Sequence, residues 1–186
     1  MRDLIALAKA RPGRLTYGSS GTGSGPHLAG ELFQSMAGIR WVHVPFKGAG
    51  PASIGVMSGE IDFSFGATIG LLGPVQNGRL RAVAVTGIKR FSELPEVPTV
   101  AESGIPGYSA IGWYGFYAPG GMPPELVRRI YNESVKALGA PDVKERLARA
   151  GNDYVMSTPE DFVVFLRAEL DKWAKVVKEA KLEIQQ

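Results

Sequence analysis

The sequence has 186 residues, of which 45% are hydrophobic, and its mean hydropathy is close to zero, so its composition is that of a globular protein and not of a disordered or collagen-like one. The formal net charge is only +3 and the basic residues are scattered, which predicts no nucleic-acid-binding surface. The chain has no cysteine, which excludes disulfides, thiolate catalysis and Cys-ligated metal sites.

The first half of the chain alternates short apolar runs with helical patterns. Residues 1–13 form an amphipathic helix pattern with charges inside it, which is neither a signal peptide nor a membrane span. Beyond them, strands are predicted at 15–18, 41–44, 61–65 and 81–86, and helices near 26–37, 51–58 and 69–77. Strands separated by helices form βαβ units, so a mainly parallel sheet is predicted.

The second half has a different composition. Residues 87–112 are rich in Pro and Gly and have no sustained period, which is typical of a long connection between two bodies. A strand-like run at 113–119 follows, and then helices at 123–138, 142–150 and 159–181. This half has too few strands for its apolar helix faces. We therefore expect an incomplete domain, which a partner chain or a missing N-terminal segment would complete.

A loop rich in glycine and serine joins the first predicted strand to the next helix, in the stretch YGSSGTGSGPHLAGELF from Tyr17 to Phe33. The first turn of a helix leaves N–H groups without partners, and the helix dipole favours an anion there. The loop fails the dinucleotide fingerprint because position 26 is proline, and Gly25 is not followed by the Lys of a Walker loop. The sequence favours a carboxylate over a phosphate-containing cofactor, and no cofactor is predicted. A tight turn without a ligand is the alternative.

Candidate ligand-binding side chains lie in three predicted βα turns. The hydroxyls of Ser19, Ser20, Thr22 and Ser24 are donors in the first turn, where His27 either donates to the anion or only caps the loop. Lys47 in the second turn either meets a carboxylate or is solvated. Gly66 and Ala67 offer backbone groups in the third turn. With two isolated histidines and no cysteine, no metal site is predicted.

A hydrolase that uses Ser20 and His27 is a rival interpretation. No serine is framed as G-x-S-x-G, which a nucleophile elbow requires. No catalytic residue is therefore predicted. A third alternative is an interaction module whose loop has no ligand.

The order of several motifs resembles that of one transport family. The motifs are YGSSGTGSGPHLAGELF, VPFKGAGPA, GEIDFSFG, NGRLRAVAVTGIKR, LPEVPTVAESGIPGY and WYGFYAPGGMPPELV. Together they resemble the tripartite tricarboxylate transporter substrate-binding proteins, the Bug or TctC-like family, over nearly the whole chain. The resemblance implies an α/β fold similar to type II periplasmic binding proteins. Residues 1–108 would be ligand-binding domain 2, with a mainly parallel doubly wound sheet, and residues 109–186 the C-terminal portion of a second α/β domain.

The resemblance also implies a function. Such proteins are periplasmic, are not enzymes, and deliver a small organic acid to membrane permease subunits after closing on it. Family members begin with a signal peptide and an N-terminal half-domain, and by this resemblance the chain is expected to be truncated and to lack both. Its apolar faces are expected to favour a dimer. Closure is expected about a hinge at 87–112.

The site residues implied by the resemblance lie in the glycine loop. Carried over by position, Ser19, Ser20, Thr22, Gly23 and Ser24 hold one carboxylate through backbone and hydroxyl groups, with His27 beside them. Many members carry Asp at the position of Gly66, so a di- or tricarboxylate or an aromatic acid is expected rather than an amino acid. We expect Thr22, Gly23 and Ser24 to donate to the carboxylate.

Overall fold

The computed structural model describes residues 1–182 as an α/β chain. The chain divides into two compact units, one formed by Met1–Gly112 with the residues from Trp173 on, and the other by Trp113–Lys172. The predicted domain division at residues 108 and 109 stays a prediction. No helix within residues 1–182 is long and apolar enough to cross a membrane.

The first unit is built on a small parallel sheet. Its elements in chain order are α1 (Arg2–Ala10), β1 (Thr16–Ser19), α2 (Gly25–Ala37), β2 (Val42–Pro45), α3 (Ala49–Ser58), β3 (Phe63–Ser64) and α4 (Thr68–Gln76). The strand order is β2-β1-β3, and both neighbours run parallel to β1. The predicted parallel α/β arrangement is confirmed, because α2 and α3 each return the chain to the same end of the sheet for the next strand.

Helix α2 begins and ends where its sequence dictates. The Ser24 side chain caps its first turn by accepting from the backbone N–H of His27, and proline occupies the second helical position, where no N–H is needed. Gly38 ends the helix at φ 61°, a left-handed conformation that glycine adopts without a Cβ penalty. The residue at position 30 must also be small, because a Cβ there would lie 2.4 Å from the Tyr17 ring.

The core of the first unit is aromatic. Tyr17 and Phe33 are fully buried, and the Phe33 ring lies 4.8 Å from that of Trp41 and 5.7 Å from that of Tyr108. Tyr108 also donates a hydrogen bond to the backbone oxygen of Ala29. These contacts pack α2 against Trp41, which precedes β2, and against the segment around Tyr108. Packing of this kind supplies most of a helix's stability.

Two predicted strands are absent from residues 1–182. The run at 81–86 has only an isolated bridge between Val85 and Thr99, and Pro98 beside it has no N–H for a longer ladder. The run at 113–119 is irregular, and no neighbouring strand within the described part of the chain satisfies its backbone groups. Both predictions are wrong, because alternating side chains do not form a strand without a partner.

The segment 87–112 differs from the predicted connection between two bodies. It is irregular, as expected, but belongs entirely to the first unit. Val100, Ile105 and Tyr108 from this segment lie in the hydrophobic core. Proline and glycine interrupt the periodicity of this segment but do not expose it to solvent, because irregular backbone can still direct apolar side chains into a core.

The second unit is helical, and its surface is unusually apolar. It contains α5 (Pro124–Gly139), α6 (Pro141–Arg149) and the first part of α7 (Pro159–Glu179). The Trp113 ring packs edge-on against Phe162 and Phe165, and its indole N–H donates to Glu169. None of residues 113–172, all of which the structure describes, is a buried hydrophobic residue. A unit without buried apolar side chains lacks the core that normally stabilises a domain.

Candidate functional site

A pocket lies at the carboxyl end of the parallel sheet. Its volume is about 160 Å³, and its lining residues come from three βα turns and the helices that follow them. The first turn contributes Ser20 and Pro26, the second Ala49 and Gly50, and the third Gly66 and Ala67. The N-terminal ends of α2, α3 and α4 therefore meet at one pocket. This is the edge at which open α/β sheets bind ligands.

The glycine loop turns some of its N–H groups inward. Gly21 N–H donates to the Ser19 hydroxyl at 3.1 Å, and Gly23 N–H donates to His27 Nδ1 at 3.0 Å. Ser24 N–H donates to the Gly21 carbonyl at 3.2 Å. Gly21 and Gly23 have φ values of 131° and 77°, which side-chain-bearing residues rarely adopt. These glycines shape the loop.

Other N–H groups of the loop have no acceptor. Within residues 1–182, the structure gives no hydrogen-bond partner to the backbone N–H groups of Ser20, Thr22 and Gly25. Gly25 is the first residue of α2, where the helix dipole adds partial positive charge. Ser20 lines the pocket, whereas Thr22 and Gly25 are exposed and do not belong to its lining. An unpaired N–H group needs water or a ligand oxygen. The loop therefore offers three donors to an anion.

Two stacked imidazoles lie beneath the loop. The rings of His27 and His43 are 3.8 Å apart and nearly parallel. Burial lowers the pKa of His27 below 6.5, although the nearby Glu31 carboxylate opposes this shift. Burial, followed by the proximity of His27, lowers the pKa of His43 to about 4. Both rings are neutral at pH 7, so each has one nitrogen that can accept a hydrogen bond.

The predicted site residues occupy different places. Ser20, Gly66 and Ala67 line the pocket. Ser19 and His27 are buried beneath the loop, and Thr22 and Gly23 are exposed on it. Lys47 is exposed and does not belong to the pocket lining.

Two of the expected donors already have acceptors. The Gly23 N–H is bonded to His27, and the Ser24 hydroxyl donates to the Gly21 carbonyl at 2.7 Å. Thr22 retains a backbone N–H without an acceptor in the described part of the chain. The expectation that Thr22, Gly23 and Ser24 all donate to the carboxylate stays a prediction.

Sequence reasoning missed residues on both sides of the loop. Ala49, Gly50 and Ser53 line the pocket from α3, and the start of a helix after β2 is the signal that could have found them. His43 shares a hydrogen bond of 2.6 Å with the Ser19 hydroxyl. The parallel register places His43 opposite Tyr17, so the contact follows from strand pairing and not from sequence spacing.

The Ser19–His43 contact is similar to a nucleophile and its base, but its surroundings do not suit catalysis. Ser19 is 0% exposed, so a substrate cannot reach its hydroxyl. An imidazole whose pKa is about 4 is a weak base at neutral pH. Ser20 and His27 do not suit catalysis either, because His27 Nδ1 already accepts a hydrogen bond from Gly23 N–H. Within the described residues, no group of three His, Cys, Asp or Glu side chains could hold a metal ion.

Comparison with known proteins gives consistent matches. The family model described as the tripartite tricarboxylate transporter family receptor matches residues 1–182. A protein from the tcbD-tcbE intergenic region of Pseudomonas sp. strain P51 is 35% identical over 100% of this chain and 56% of its own length. BugT of Bordetella pertussis is 35% identical over 97% of this chain and 56% of its own length. The chain thus spans about half the length of the curated relatives it matches.

Solved structures are similar over the same region. R. palustris Rpa4515 with adipate is 34% identical with a TM-score of 0.84, and the match covers 97% of this chain and 60% of that one. MatC from Rhodopseudomonas palustris with bound malate is 25% identical with a TM-score of 0.77, covering 95% and 61%. Other similar structures are described as a TctC solute-binding protein and a periplasmic binding protein. These are solute-binding proteins and not enzymes.

Proposed function

Because the chain belongs to the tripartite tricarboxylate transporter receptor family, we propose that it is the ligand-binding part of a periplasmic solute-binding protein. It captures a small organic carboxylate and presents it to the membrane permease subunits of a transporter of that type. The ligand is a di- or tricarboxylate or an aromatic acid. Domain closure accompanies capture, as in other binding proteins of two domains.

One observation carries this proposal: three helix N-termini meet at one pocket beside a loop with unpartnered N–H groups. Each helix N-terminus carries roughly half a positive charge, and backbone N–H groups bind carboxylates without a charged side chain. None of the described lining residues carries a formal charge. The carboxylate is therefore held through neutral donors, the backbone N–H groups of Ser20, Thr22 and Gly25. The exposed Lys47 contributes only to the field around the site.

The pocket walls indicate what else the ligand contains. Apart from serine hydroxyls the lining is apolar, with Met57, Phe65 and Leu71 among its larger side chains. A hydrocarbon chain or an aromatic ring packs against such a wall, whereas an ammonium group finds no carboxylate there. A Cβ at Gly66 would lie 2.8 Å from Leu71, so this wall has little room for a longer residue. The adipate- and malate-bound relatives are consistent with this class of ligand.

A matched pair of helix α4 variants tests the site. Gly70 lines the pocket and Gly73 does not, and at both positions an added Cβ would contact nothing. We expect Gly70→Phe to fill the pocket and weaken binding at least about tenfold, and Gly73→Phe to change it less than about twofold, since tenfold is about 1.4 kcal/mol. The measurement is an NMR titration of the chain with adipate, malate, citrate and benzoate.

Three results would contradict the proposal. If none of the four acids shifts the amide signals of residues 20–25, the loop has no carboxylate ligand and the interaction-module alternative is favoured. If both glycine variants bind equally well, the ligand lies elsewhere. If the chain hydrolyses simple esters and Ser20→Ala abolishes this turnover, the protein is an enzyme.

We also propose that the second unit makes the isolated chain self-associate. This unit exposes more large hydrophobic residues than the few scattered ones that are normal on a protein surface. They are Tyr114, Phe116, Tyr117, Leu126, Ile130, Tyr154, Val155, Val163, Val164, Phe165 and Leu170. Light scattering is expected to show a dimer whose fraction rises with concentration. The double variant Tyr114→Ser and Phe116→Ser should lower that fraction, while Ile88→Ser, which changes an exposed side chain of the first unit, should not. A monomer at all concentrations would disprove self-association.

A further inference from the structure

Five polar side chains form a cluster beneath the glycine loop, three of them buried and two partly buried. We call it the imidazole cluster, and its members are Tyr17, Ser19, His27, Glu31 and His43. Ser19 and Tyr17 are fully buried, and His27 is 2% exposed. None of these side chains lines the pocket. Buried polar groups are costly unless they are bonded, so a cluster this close to the ligand donors calls for a physical role.

The contact of the cluster with the loop is the bond from Gly23 N–H to His27 Nδ1. Because Nδ1 accepts, the proton of the neutral ring is on Nε2. This bond points the Gly23 N–H inward, as the Ser19 hydroxyl does for Gly21 N–H. The intervening N–H of Thr22 has no acceptor within residues 1–182. Within residues 1–182, two loop donors that have acceptors thus flank one that has none, and His27 holds one of the former.

The groups around the imidazole come from three elements. On α2, the Glu31 carboxylate lies 3.8 Å from His27 Nε2. On β1, the Tyr17 hydroxyl donates to Glu31 at 2.7 Å and contacts the His27 carbonyl at 3.3 Å. On β2, His43 stacks on the ring. The Glu31 carboxylate favours a charged His27, while burial opposes it.

We propose that His27 is a positioning residue that holds the glycine loop in its ligand-binding conformation only while its imidazole is neutral, so that acid releases the loop and weakens carboxylate binding. The role in binding rests on the function proposed above. A proton on Nδ1 turns the acceptor into a donor that faces the donor of Gly23. One of the two must turn away, and the peptide groups of a glycine-rich loop turn more easily than a buried ring stacked on another.

The pH dependence of the cluster has a defined sign. The pKa values of His27 and His43 are lowered on folding, that of His43 to about 4, so protons bind preferentially to the unfolded chain. The stability that the neutral cluster contributes is complete above about pH 6.5 and is lost as the pH falls toward about 4. Release of the loop requires protonation of His27 in the folded chain, so it is expected below the ordinary histidine pKa of about 6.5.

The first experiment observes the loop without a ligand. The Gly23 amide signal is followed by NMR as the pH is lowered from about 7.5 to about 4, the range in which histidines titrate. We expect the chemical shift of the Gly23 amide to change over the same pH range as those of the His27 ring. We also expect this amide to lose its protection from hydrogen exchange. In His27→Asn the side-chain oxygen can accept from Gly23 and does not titrate, so the Gly23 signal should stay constant. Ser35→Ala, which removes an exposed hydrogen bond elsewhere on α2, should behave like the wild type.

The second experiment measures adipate binding at both ends of that range. Protonation of adipate affects all variants equally. We therefore compare the ratio of wild-type affinity to His27→Asn affinity between the two pH values. We expect this ratio to fall about tenfold in acid, which corresponds to about 1.4 kcal/mol. His27→Ala should bind weakly at both pH values. A melting curve for each variant identifies any that fails to fold.

The outcomes are distinguishable. If the Gly23 amide signal does not change as His27 titrates, the proposal is overturned. A ratio that rises in acid overturns it as well, because the imidazolium would then act by attracting the anion. If the wild type binds no acid although Gly23 follows His27, the proposed function fails while the control of the loop by His27 is supported.

Discussion

Replacing Gly21 with alanine is expected to weaken carboxylate binding at least about tenfold. The backbone of Gly21 has a φ of 131°, a conformation that costs a side-chain-bearing residue about 1–3 kcal/mol. Its N–H and carbonyl are both bonded to Ser19, and the carbonyl also accepts from the Ser24 hydroxyl. Relaxing the strain turns these groups and reorients the neighbouring donors of Ser20 and Thr22. NMR or calorimetric titration with adipate measures the loss.

The neighbouring Gly25→Ala is the matched control. Gly25 is the first residue of α2, its φ is not positive, and an added Cβ would contact nothing. The backbone N–H that it offers to the ligand is retained. We expect Gly25→Ala to bind adipate within about twofold of the wild type, a difference below about 0.5 kcal/mol. Equal loss in both variants would show that crowding at the loop, and not its backbone conformation, limits binding.

Much of the fold could be predicted because local signals and tertiary structure agree. Ser24 and Gly38 bound α2 as a cap and a left-handed end. Thr158 caps the start of α7 by accepting from Asp161 N–H at 3.1 Å and donating to its carboxylate at 2.8 Å. These signals depend on neighbours within four residues, so the sequence contains them.

The wrong predictions concern features that depend on distant partners. Residues 81–86 alternate like a strand, but Thr99 offers only a single bridge to Val85. Residues 87–112 read as a connection because proline and glycine interrupt their period, although Tyr108 belongs to the core. Whether a segment pairs or is buried depends on what the rest of the chain places beside it.

The candidate site shows the same division. Its location after β1 and the donor character of the loop follow from sequence, since a helix N-terminus after a strand is a local feature. The direction in which each N–H group points does not follow from the sequence. It depends on His27 and Ser19 below the loop, and Ser19 in turn shares a hydrogen bond with His43 from the neighbouring strand. Sequence reasoning could place the donors in the loop but could not say which of them already had acceptors.

The difference between the two units predicts different costs for losing an aromatic side chain. Phe33 is 0% exposed and packs against the rings of Trp41, Phe65 and Tyr108. We expect Phe33→Ala to lower the free energy of unfolding by about 3–5 kcal/mol, because it leaves a cavity in a core that cannot collapse onto it.

Phe116→Ala in the second unit is the matched control for Phe33→Ala. Phe116 is 80% exposed, so its removal should change the free energy of unfolding by less than about 0.5 kcal/mol. Urea unfolding followed by tryptophan fluorescence compares both variants with the wild type, since Trp41 and Trp173 report on the first unit and Trp113 on the second. If Phe116→Ala costs as much as Phe33→Ala, residue 116 is buried in solution, and self-association through the second unit would account for it.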